Sequence, residues 1–341
     1  MSTTAVYFVA SPLQYLAARQ IARTHEAHSR QVLVWYKRGV GPVVDAAEWD
    51  ASAYMPWPRW EPLPGAFGAH RRLLANLQEV AALVGRCDDL HLHSAVYDTE
   101  AVNYFLRGLP RLCGARTMRA RILPDGVLSV RRYPLGPTKR ALQQLRHLRR
   151  LAAPELAYWS FAGDRIGSDA PFCDRIYVLP GLPHEYPADK VVTLAPLVAP
   201  AAAAHAGAPR ALVVGQPLQG AGLADAAQRD RIGAAMQHWL QEQHIDAVDY
   251  KGHPKDPARE LLQPGWRVLE LDEPLESYMQ HEPYSAVLGV RSSALLFARQ
   301  IYGPEVRVLA FGWERLHFKS NDEQAAMTRA FDDLGVTLLP A

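Results

Sequence analysis

A short apolar segment followed by an amphipathic helix recurs along both halves of this chain of 341 residues. In the first half AVYFVA precedes SPLQYLAARQIAR, and in the second half RALVVGQPL starts the same alternation at residue 210. Strands that alternate with helices form parallel sheets covered by helices on both faces. The sequence therefore predicts an α/β fold built from two doubly wound domains.

A segment rich in proline and alanine separates the two halves. It contains Pro196, Pro200 and Pro209, which interrupt any regular helix or central strand. We therefore expect an N-terminal domain in residues 1–195, a flexible linker in residues 196–209 and a C-terminal domain in residues 210–341. Ligands in such folds bind beyond the carboxyl ends of the strands, so a cleft between the two domains is expected.

Composition excludes several classes of protein. The formal net charge of +2, without an aromatic stacking pattern, argues against nucleic-acid binding. The first eighteen residues carry no charged side chain, unlike a secretory signal, and the prolines make residues 191–209 unsuitable as a membrane span. The three cysteines, Cys87, Cys113 and Cys173, have no CxxC spacing. We expect reduced thiols in a cytoplasmic enzyme, with no structural zinc.

Four polar stretches fall where the predicted strands end. They are SPLQ at residues 11–14, PDG at 124–126, KGHP at 251–254 and RSSAL at 291–295. Each has an ordinary structural explanation, since serine starts helices, Pro-Asp-Gly forms turns and histidine is often a packed ring. Their occurrence together at strand ends of both halves favours a shared function.

The chemistry that these residues can share is group transfer from a nucleotide sugar. Asp125 can take a proton from an acceptor hydroxyl, and His253 can donate one to a leaving phosphate. Ser292 and Ser293 lie at a predicted helix start, where hydroxyl and N–H groups bind phosphate. On an extended strand Lys251 points to the same side as His253 and adds positive charge.

Motifs of rival functions are absent from the sequence. There is no GxSxG, no GxxxxGK[ST], no HExxH and no complete dinucleotide fingerprint. No two aspartates have the Asp-x-Asp spacing of metal-dependent sugar transferases. These absences argue against an essential divalent metal.

In these motifs the sequence resembles the bacterial sialyltransferases, most closely the capsular polysialyltransferase-like and lipooligosaccharide sialyltransferase group. That group carries an acidic-Gly motif, a His-Pro motif and a Ser-Ser or Ser-Thr pair in this order. Here these are Asp125-Gly126, His253-Pro254 and Ser292-Ser293, and SPLQYLAA and VVGQPL also resemble segments of the group. The resemblance spans residues 5–300.

The resemblance implies a GT-B fold, with two Rossmann-like domains facing a central cleft, and inverting transfer without a metal or other cofactor. The donor would be a CMP-activated nonulosonic acid and the acceptor a cell-surface glycan or glycolipid. Asp125 would be the general base and His253 the general acid. The implied donor-binding residues are Lys251, Pro254, Ser292, Ser293, Gly215, Gln216 and, for the ribose, Glu273 or Glu276. Residues implied on the acceptor or donor-sugar side are Ser11, Gln14 and Gly126.

One departure from the group keeps alternatives open. Many relatives have two acidic residues before the glycine, whereas this chain has Pro124-Asp125-Gly126. The identities of the transferred sugar and of the acceptor are therefore not predicted, and a CMP-Kdo transferase of the same architecture is an alternative. A catalytically silent nucleotide-binding scaffold and a nucleotide-sugar epimerase are further alternatives, and the sequence leaves a homo-oligomer open.

A basic segment, TKRALQQLRHLRRL at residues 138–151, interleaves arginines with leucines at helical spacing. The simpler interpretation is a helix with its leucines in the core and its cations in solvent. The alternative is peripheral contact of the basic face with the inner membrane.

Overall fold

A parallel sheet lies at the centre of each of the two units into which the chain divides. The computed structural model describes residues 2–125, 132, 134–151, 153–198 and 208–341. The first unit holds the described residues up to 125, from 132 to 180 and from 184 to 197, and the second holds 181–183 and those from 198 onward. Gly126 and residues 199–207 of the predicted linker lie outside the described residues. The domain boundaries read from the sequence stay predictions.

The first unit has a seven-stranded parallel sheet in the order β3-β2-β1-β4-β5-β6-β7. Its strands are β1 Thr3–Val9, β2 Arg30–Trp35, β3 Ala51–Tyr54, β4 Asp89–Ser94, β5 Thr117–Ile122, β6 Cys173–Val178 and β7 Val191–Thr193. Its helices are α1 Pro12–Thr24, α2 Gly68–Val84, α3 Glu100–Asn103, α4 Phe105–Cys113 and α5 Pro137–Arg146, with 3-10 turns at Arg38–Val43, Ala46–Glu48 and His147–Leu151. The order of the first six strands is that of a doubly wound sheet.

Burial on both faces explains why β1 is almost entirely apolar. Val6 and Phe8 pack into the core on one face, whereas Ala5, Tyr7 and Val9 pack into the core on the other. Successive side chains of a strand point to opposite faces, so a central parallel strand needs apolar residues at every position. This is the physical basis of the uninterrupted apolar segment at residues 5–10.

The second unit repeats the same strand order. Its six parallel strands follow the order β10-β9-β8-β11-β12-β13. The strands are β8 Arg210–Val214, β9 Ala247–Lys251, β10 Arg267–Val268, β11 Ala286–Gly289, β12 Arg307–Phe311 and β13 Thr337–Leu339. The helices are α6 Ala226–Glu242, α7 Leu275–His281, α8 Ser293–Ile301 and α9 Asn321–Asp333, with a 3-10 turn at Trp313–Arg315. The α/β class predicted from the sequence is confirmed.

Polar contacts attach α5 to the first unit. Gln143 is buried and its Nε2 donates to Oδ1 of the buried Asp98 at 2.8 Å. Arg146 donates from its guanidinium to the hydroxyl of Tyr158 at 2.8 Å. Lys139 lies on the same side, with Nζ at 3.7 Å from Oδ2 of Asp98. The helix therefore turns its polar face inward.

The leucines of this segment lie on the surface, which corrects the expectation that they fill the core. The exposed fractions are 62% for Leu145, 60% for Leu148 and 80% for Leu151. The buried acid of Asp98 needs hydrogen-bonding and charged partners, and Lys139, Gln143 and Arg146 lie at helical spacing on the face of α5 that meets it. The helical spacing predicted from the sequence is correct, but the polar face of α5 packs against the protein and the leucines face solvent.

His93, in β4, has a fully buried ring between two aromatic side chains. The ring stacks on Tyr7 with a centroid separation of 4.4 Å and lies 6.1 Å from the ring of Tyr177. Burial, with a smaller contribution from His91, lowers the pKa of His93 to about 3. The folded protein therefore keeps this imidazole neutral.

We predict that the free energy of unfolding falls as the pH is lowered from 6.5 to 4.5. Unfolded histidine titrates at about 6.5, so only the unfolded state binds this proton, and stability is lost at about 1.4 kcal/mol per pH unit. His93→Gln should flatten this dependence in urea unfolding. His238→Gln, at an exposed position of α6, is the control and should leave it unchanged. Equal slopes in His93→Gln and the wild type would contradict the prediction.

Candidate active site

Three loops of the second unit begin at the same edge of its sheet. Strands β9, β8 and β11 are adjacent and parallel, so the loops that follow them emerge side by side. The order of strands reverses between β8 and β11, which is where ligands bind in doubly wound sheets. The three loops carry Gly215, Gln216, Lys251, His253, Pro254, Ser292 and Ser293. The fold thus places these seven residues along one edge of the sheet, and their role in binding the donor stays a prediction.

Gln216 joins two of these loops across the switch point. Its Nε2 donates to the carbonyl of Arg291 at 3.1 Å, and its Oε1 accepts from the backbone N–H of Arg291 at 2.9 Å. A side-chain amide that satisfies both backbone groups of one residue fixes that residue's position. Gln216 therefore positions the start of α8 relative to the end of β8.

Position 215 requires a glycine because its backbone packs closely against Tyr250 of β9. A Cβ at this position would collide with the hydroxyl of Tyr250. The N–H of Gly215 donates to the carbonyl of Lys251 at 2.9 Å. The glycine therefore lets the loops after β8 and β9 approach each other.

The serine pair forms the start of α8, as the sequence predicted. Ser292 is the N-cap, and its Oγ accepts from the N–H of Ala294 at 3.2 Å. Ser293 is the first helical residue, and both serines are half-buried. Arg291 precedes them and lies over the ring of Phe318 at 5.2 Å. The helix N-terminus, the hydroxyls and this guanidinium favour an anion.

Arg291 was not singled out from the sequence. The signal was present, because a cation directly precedes the serine pair in RSSAL.

His253 lies in a tight turn that defines its tautomer. Its Nδ1 accepts from the backbone N–H of Lys255 at 3.0 Å, and its own carbonyl accepts from the N–H of Asp256 at 2.9 Å. A ring nitrogen that accepts carries no proton, so the neutral imidazole holds its proton on Nε2. Half-buried at the end of β9, His253 has the geometry of a donor through Nε2.

The segment DPARELL at residues 256–262 has the sequence pattern of a capped helix but does not form one. Residues 256–262 form successive turns, and Arg259 has a φ of 53°. Asp256 still accepts from a downstream N–H, that of Glu260, at 2.9 Å. A left-handed residue at position 259 ends the helical path after a single turn. The capping signal was correct, but the helix does not propagate.

Lys251 lies at the end of β9 with its ammonium directed to the neighbouring strand. Its Nζ donates to the carbonyl of Leu269, which follows β10, at 3.4 Å. Burial lowers the pKa of Lys251. Its assignment to the donor stays a prediction, and the structure places its head group on the β10 side of the edge.

The two candidate ribose carboxylates have different surroundings. Glu273 lies before α7, and its Oε1 is 3.1 Å from Nε2 of His281. Glu276 lies in the first turn of α7, and burial raises its pKa. Glu273 thus lies against a histidine, whereas Glu276 is a half-buried carboxyl group with a raised pKa.

The edge of the first unit carries the other predicted residues. Ser11 is the N-cap of α1, with Oγ accepting from the N–H of Gln14 at 3.2 Å. The buried Gln14 accepts from Ala10 N–H at 2.7 Å and donates from Nε2 to Oδ1 of Asp125 at 2.7 Å. Gln14 therefore orients Asp125. Gly126 lies outside the described residues.

Among the described residues no group of three or more histidine, cysteine or acidic side chains is arranged to hold a metal ion. The same residues contain no helix with the length and apolar character needed to cross a bilayer.

The family that this chain matches is recognised mainly in the second unit. A family model described as alpha-2,8-polysialyltransferase matches residues 182–309, which include all three loops at the sheet edge. The predicted resemblance to bacterial sialyltransferases is confirmed. The match supports a sialyltransferase-like glycosyltransferase. No curated protein matches the sequence.

Solved structures show the architecture of the whole chain. UDP-GlcNAc 2-epimerase from Neisseria meningitidis, bound to UDP-GlcNAc, has a TM-score of 0.52 and 12% identity, covering 96% of this chain and 85% of that chain. MnaA of S. aureus, in a structure with UDP, has a TM-score of 0.51 and 11% identity, covering 98% and 88%. Identity this low shows the fold alone, and the fold of this sialyltransferase-like chain is GT-B, as predicted.

We predict that Gln216→Ala destabilises the second unit by about 1–3 kcal/mol, because it leaves the N–H and carbonyl of Arg291 without their partner. Urea unfolding measures the change. The control is Gln219→Ala, since Gln219 is exposed and its side-chain oxygen accepts a bond from Arg229 at 3.1 Å, not from the loop after β11. Equal stability of the two variants would show that the bridge does not hold the loop.

Proposed function

We propose that this chain is an inverting, metal-independent glycosyltransferase that moves a nonulosonic acid from a CMP-sugar to a cell-surface glycan. The observation that carries the proposal is the edge of the second sheet. There His253 and the Ser292–Ser293 helix start follow strands on either side of β8, within the segment that matches the polysialyltransferase model. Positive charge and N–H donors at one edge suit a phosphate leaving group.

In the proposed reaction Asp125 removes the proton of the acceptor hydroxyl. The hydroxyl oxygen forms a bond to the anomeric carbon as the bond from that carbon to the CMP phosphate oxygen breaks. The electron pair stays on the phosphate oxygen, and the imidazolium form of His253 donates its Nε2 proton to the phosphate, which leaves a neutral imidazole. A single displacement inverts the anomeric centre. Gln14 contributes by holding one carboxylate oxygen of Asp125 at 2.7 Å.

The proposal needs no cofactor, since the helix N-terminus, Arg291 and His253 supply the positive charge that a metal ion supplies elsewhere. A donor screen with CMP-Neu5Ac, CMP-Kdo and other CMP-nonulosonates, with CMP release as readout and with EDTA present, tests it. Release from a nonulosonate donor supports the proposal, whereas release from CMP-Kdo alone selects the Kdo alternative. Dependence on a divalent metal would contradict the mechanism.

We predict that Asp125→Asn and His253→Ala each reduce transfer by ~10²–10⁴-fold, the range for loss of a general base or acid. Asp125→Asn should retain CMP affinity, because the base acts on the acceptor. The matched controls are Asp230→Asn and His238→Ala, at exposed positions of α6. Wild-type transfer by either site variant would remove that residue from the mechanism.

We predict that Glu276→Gln weakens CMP binding roughly 10- to 150-fold, since a hydrogen bond to a charged group contributes about 1.5–3 kcal/mol. Glu273→Gln is the matched control and should bind CMP as the wild type does. Calorimetry with CMP and 2′-deoxy-CMP provides the measurement. The reverse pattern would assign the ribose to Glu273.

The exposed leucines support peripheral contact with an anionic membrane. Leu145, Leu148 and Leu151 are exposed and follow one another at a spacing of three residues, and Leu151 and Arg150 also line a cavity of about 610 Å³ with Arg107 and Arg111. Apolar side chains beside a rim of arginines match the interfacial region of a bilayer with anionic lipids. We propose that this surface, the leucine-arginine surface, brings the enzyme to lipid-linked acceptors.

Replacing Leu145, Leu148 and Leu151 with serine should abolish sedimentation with vesicles of 30% phosphatidylglycerol, since each buried leucine contributes about 1.5–3 kcal/mol. Turnover of a small acceptor in solution should be unchanged. Phe67→Ser, at another exposed apolar position, is the control and should still sediment. Binding of the triple variant at the wild-type level would refute the contact.

A further inference from the structure

An aromatic cluster lies beyond strands β2 and β3 of the first unit, outside the residues assigned to catalysis. Tyr36 directly follows β2 and stacks on Trp57 with a centroid separation of 4.7 Å. Trp60 continues the row at 5.9 Å from Trp57 and is 64% exposed. Large exposed aromatic side chains in contact with one another mark binding surfaces more often than isolated ones do.

The backbone holds this cluster in place. The N–H groups of Trp60 and Glu61 both donate to the carbonyl of Trp57, at 3.0 and 2.8 Å. The carbonyl of Glu61 in turn accepts from Nε of Arg72, in α2, at 3.1 Å. The turn that presents the indole of Trp60 is therefore attached to a helix and is preorganised.

Polar groups surround the exposed indole. The carboxylate of Glu61 accepts from the hydroxyl of Tyr54 and from the guanidinium of Arg38. A cavity of about 460 Å³ is lined by Tyr36, Lys37, Arg38, Tyr54, Trp60 and Glu61. An aromatic wall beside a few fixed polar groups is the usual composition of a small-molecule site.

This combination suits one face of a sugar ring. A pyranose presents polarised C–H groups on its face, which are attracted to the negative face of an aromatic ring. Its hydroxyls lie at the edge, where a carboxylate accepts and a guanidinium donates hydrogen bonds. Glu61 and Arg38 supply these two complementary functions beside Trp60.

The position of the cluster relates it to the candidate base. In the order β3-β2-β1-β4-β5, Tyr36 follows β2 and Asp125 follows β5, which is three strand spacings away, or roughly 14 Å. Burial, and then the charge of Asp125, raise the pKa of Tyr36. The cluster thus lies at the same edge as Asp125, and three strand spacings exceed the width of a single sugar ring, so a sugar on Trp60 is a different residue from the one that reacts at Asp125.

We propose that Trp60, Tyr36 and the Glu61–Arg38 pair form a binding subsite for a sugar residue of an oligosaccharide acceptor, removed from the residue that carries the reacting hydroxyl. The subsite makes the enzyme select acceptors by chain length. This inference rests on the proposed function only where it calls the bound saccharide an acceptor. Saccharide binding itself does not depend on any reaction.

Calorimetric titration tests binding without catalysis. The probes are α2,8-linked sialic acid pentamer, the neutral tetrasaccharide lacto-N-neotetraose, sialic acid monomer and CMP. At least one oligosaccharide should bind the wild type at least tenfold more tightly than the monomer, and Trp60→Ala should remove that advantage. Trp60→Phe should retain most of it, and Phe67→Ala, an exposed aromatic outside the cavity lining, should retain all of it. Equal binding of every probe by Trp60→Ala and the wild type, or binding of CMP alone, would overturn the subsite.

Kinetics separate failure of the subsite from failure of the proposed function. With the donor that supports transfer, Trp60→Ala should raise the KM of the longer acceptor about tenfold, with kcat and the KM of a disaccharide acceptor within about twofold. An unchanged KM for the longer acceptor overturns the subsite and leaves the transferase intact. If no CMP-sugar supports transfer but oligosaccharide binding still requires Trp60, the saccharide site stands and the proposed reaction falls.

Discussion

Parallel strand pairing is the constraint on which the candidate site depends. When every strand of a sheet runs in one direction, each strand-to-helix loop starts at the same edge, and polar residues far apart in sequence become neighbours. In the second unit this brings the end of β9, with His253, next to the end of β8 and close to the start of α8. The same rule in the first unit places Asp125, Tyr36 and Ser11 at one edge.

Each unit also uses a glutamine amide after its first strand to fix a loop from a later strand. Gln14, in α1, donates to Asp125 after β5, and Gln216, after β8, exchanges two hydrogen bonds with Arg291 after β11. A buried amide offers a donor and an acceptor on a rigid plane, so it can join two loops without adding charge to a site that handles anions. These glutamines were predicted to lie on the substrate side, and their geometry makes them positioning residues.

The sequence predicted the α/β architecture and the helix start at the serine pair because both depend on local signals. Uninterrupted apolar segments such as residues 5–10 identify buried parallel strands, and the serine pair identifies a helix start. Directions of side chains depend on tertiary partners and were not predictable. Lys251 turns to the carbonyl of Leu269, and α5 turns its leucines outward because the buried Asp98 holds its polar face. The tautomer of His253 depends on a single backbone N–H, that of Lys255.

We propose that the edge of the second sheet binds CMP. A thermal-shift panel of CMP, UDP, GDP and NAD provides the test. A ligand that binds only the folded state raises the melting temperature, and at one hundred times its Kd it adds about 2.7 kcal/mol to the free energy of unfolding. We expect stabilisation by CMP, much less by the other nucleotides, no effect of EDTA, and loss of the CMP effect when Ser292 and Ser293 are both alanine. Stabilisation by UDP or NAD without stabilisation by CMP would contradict it.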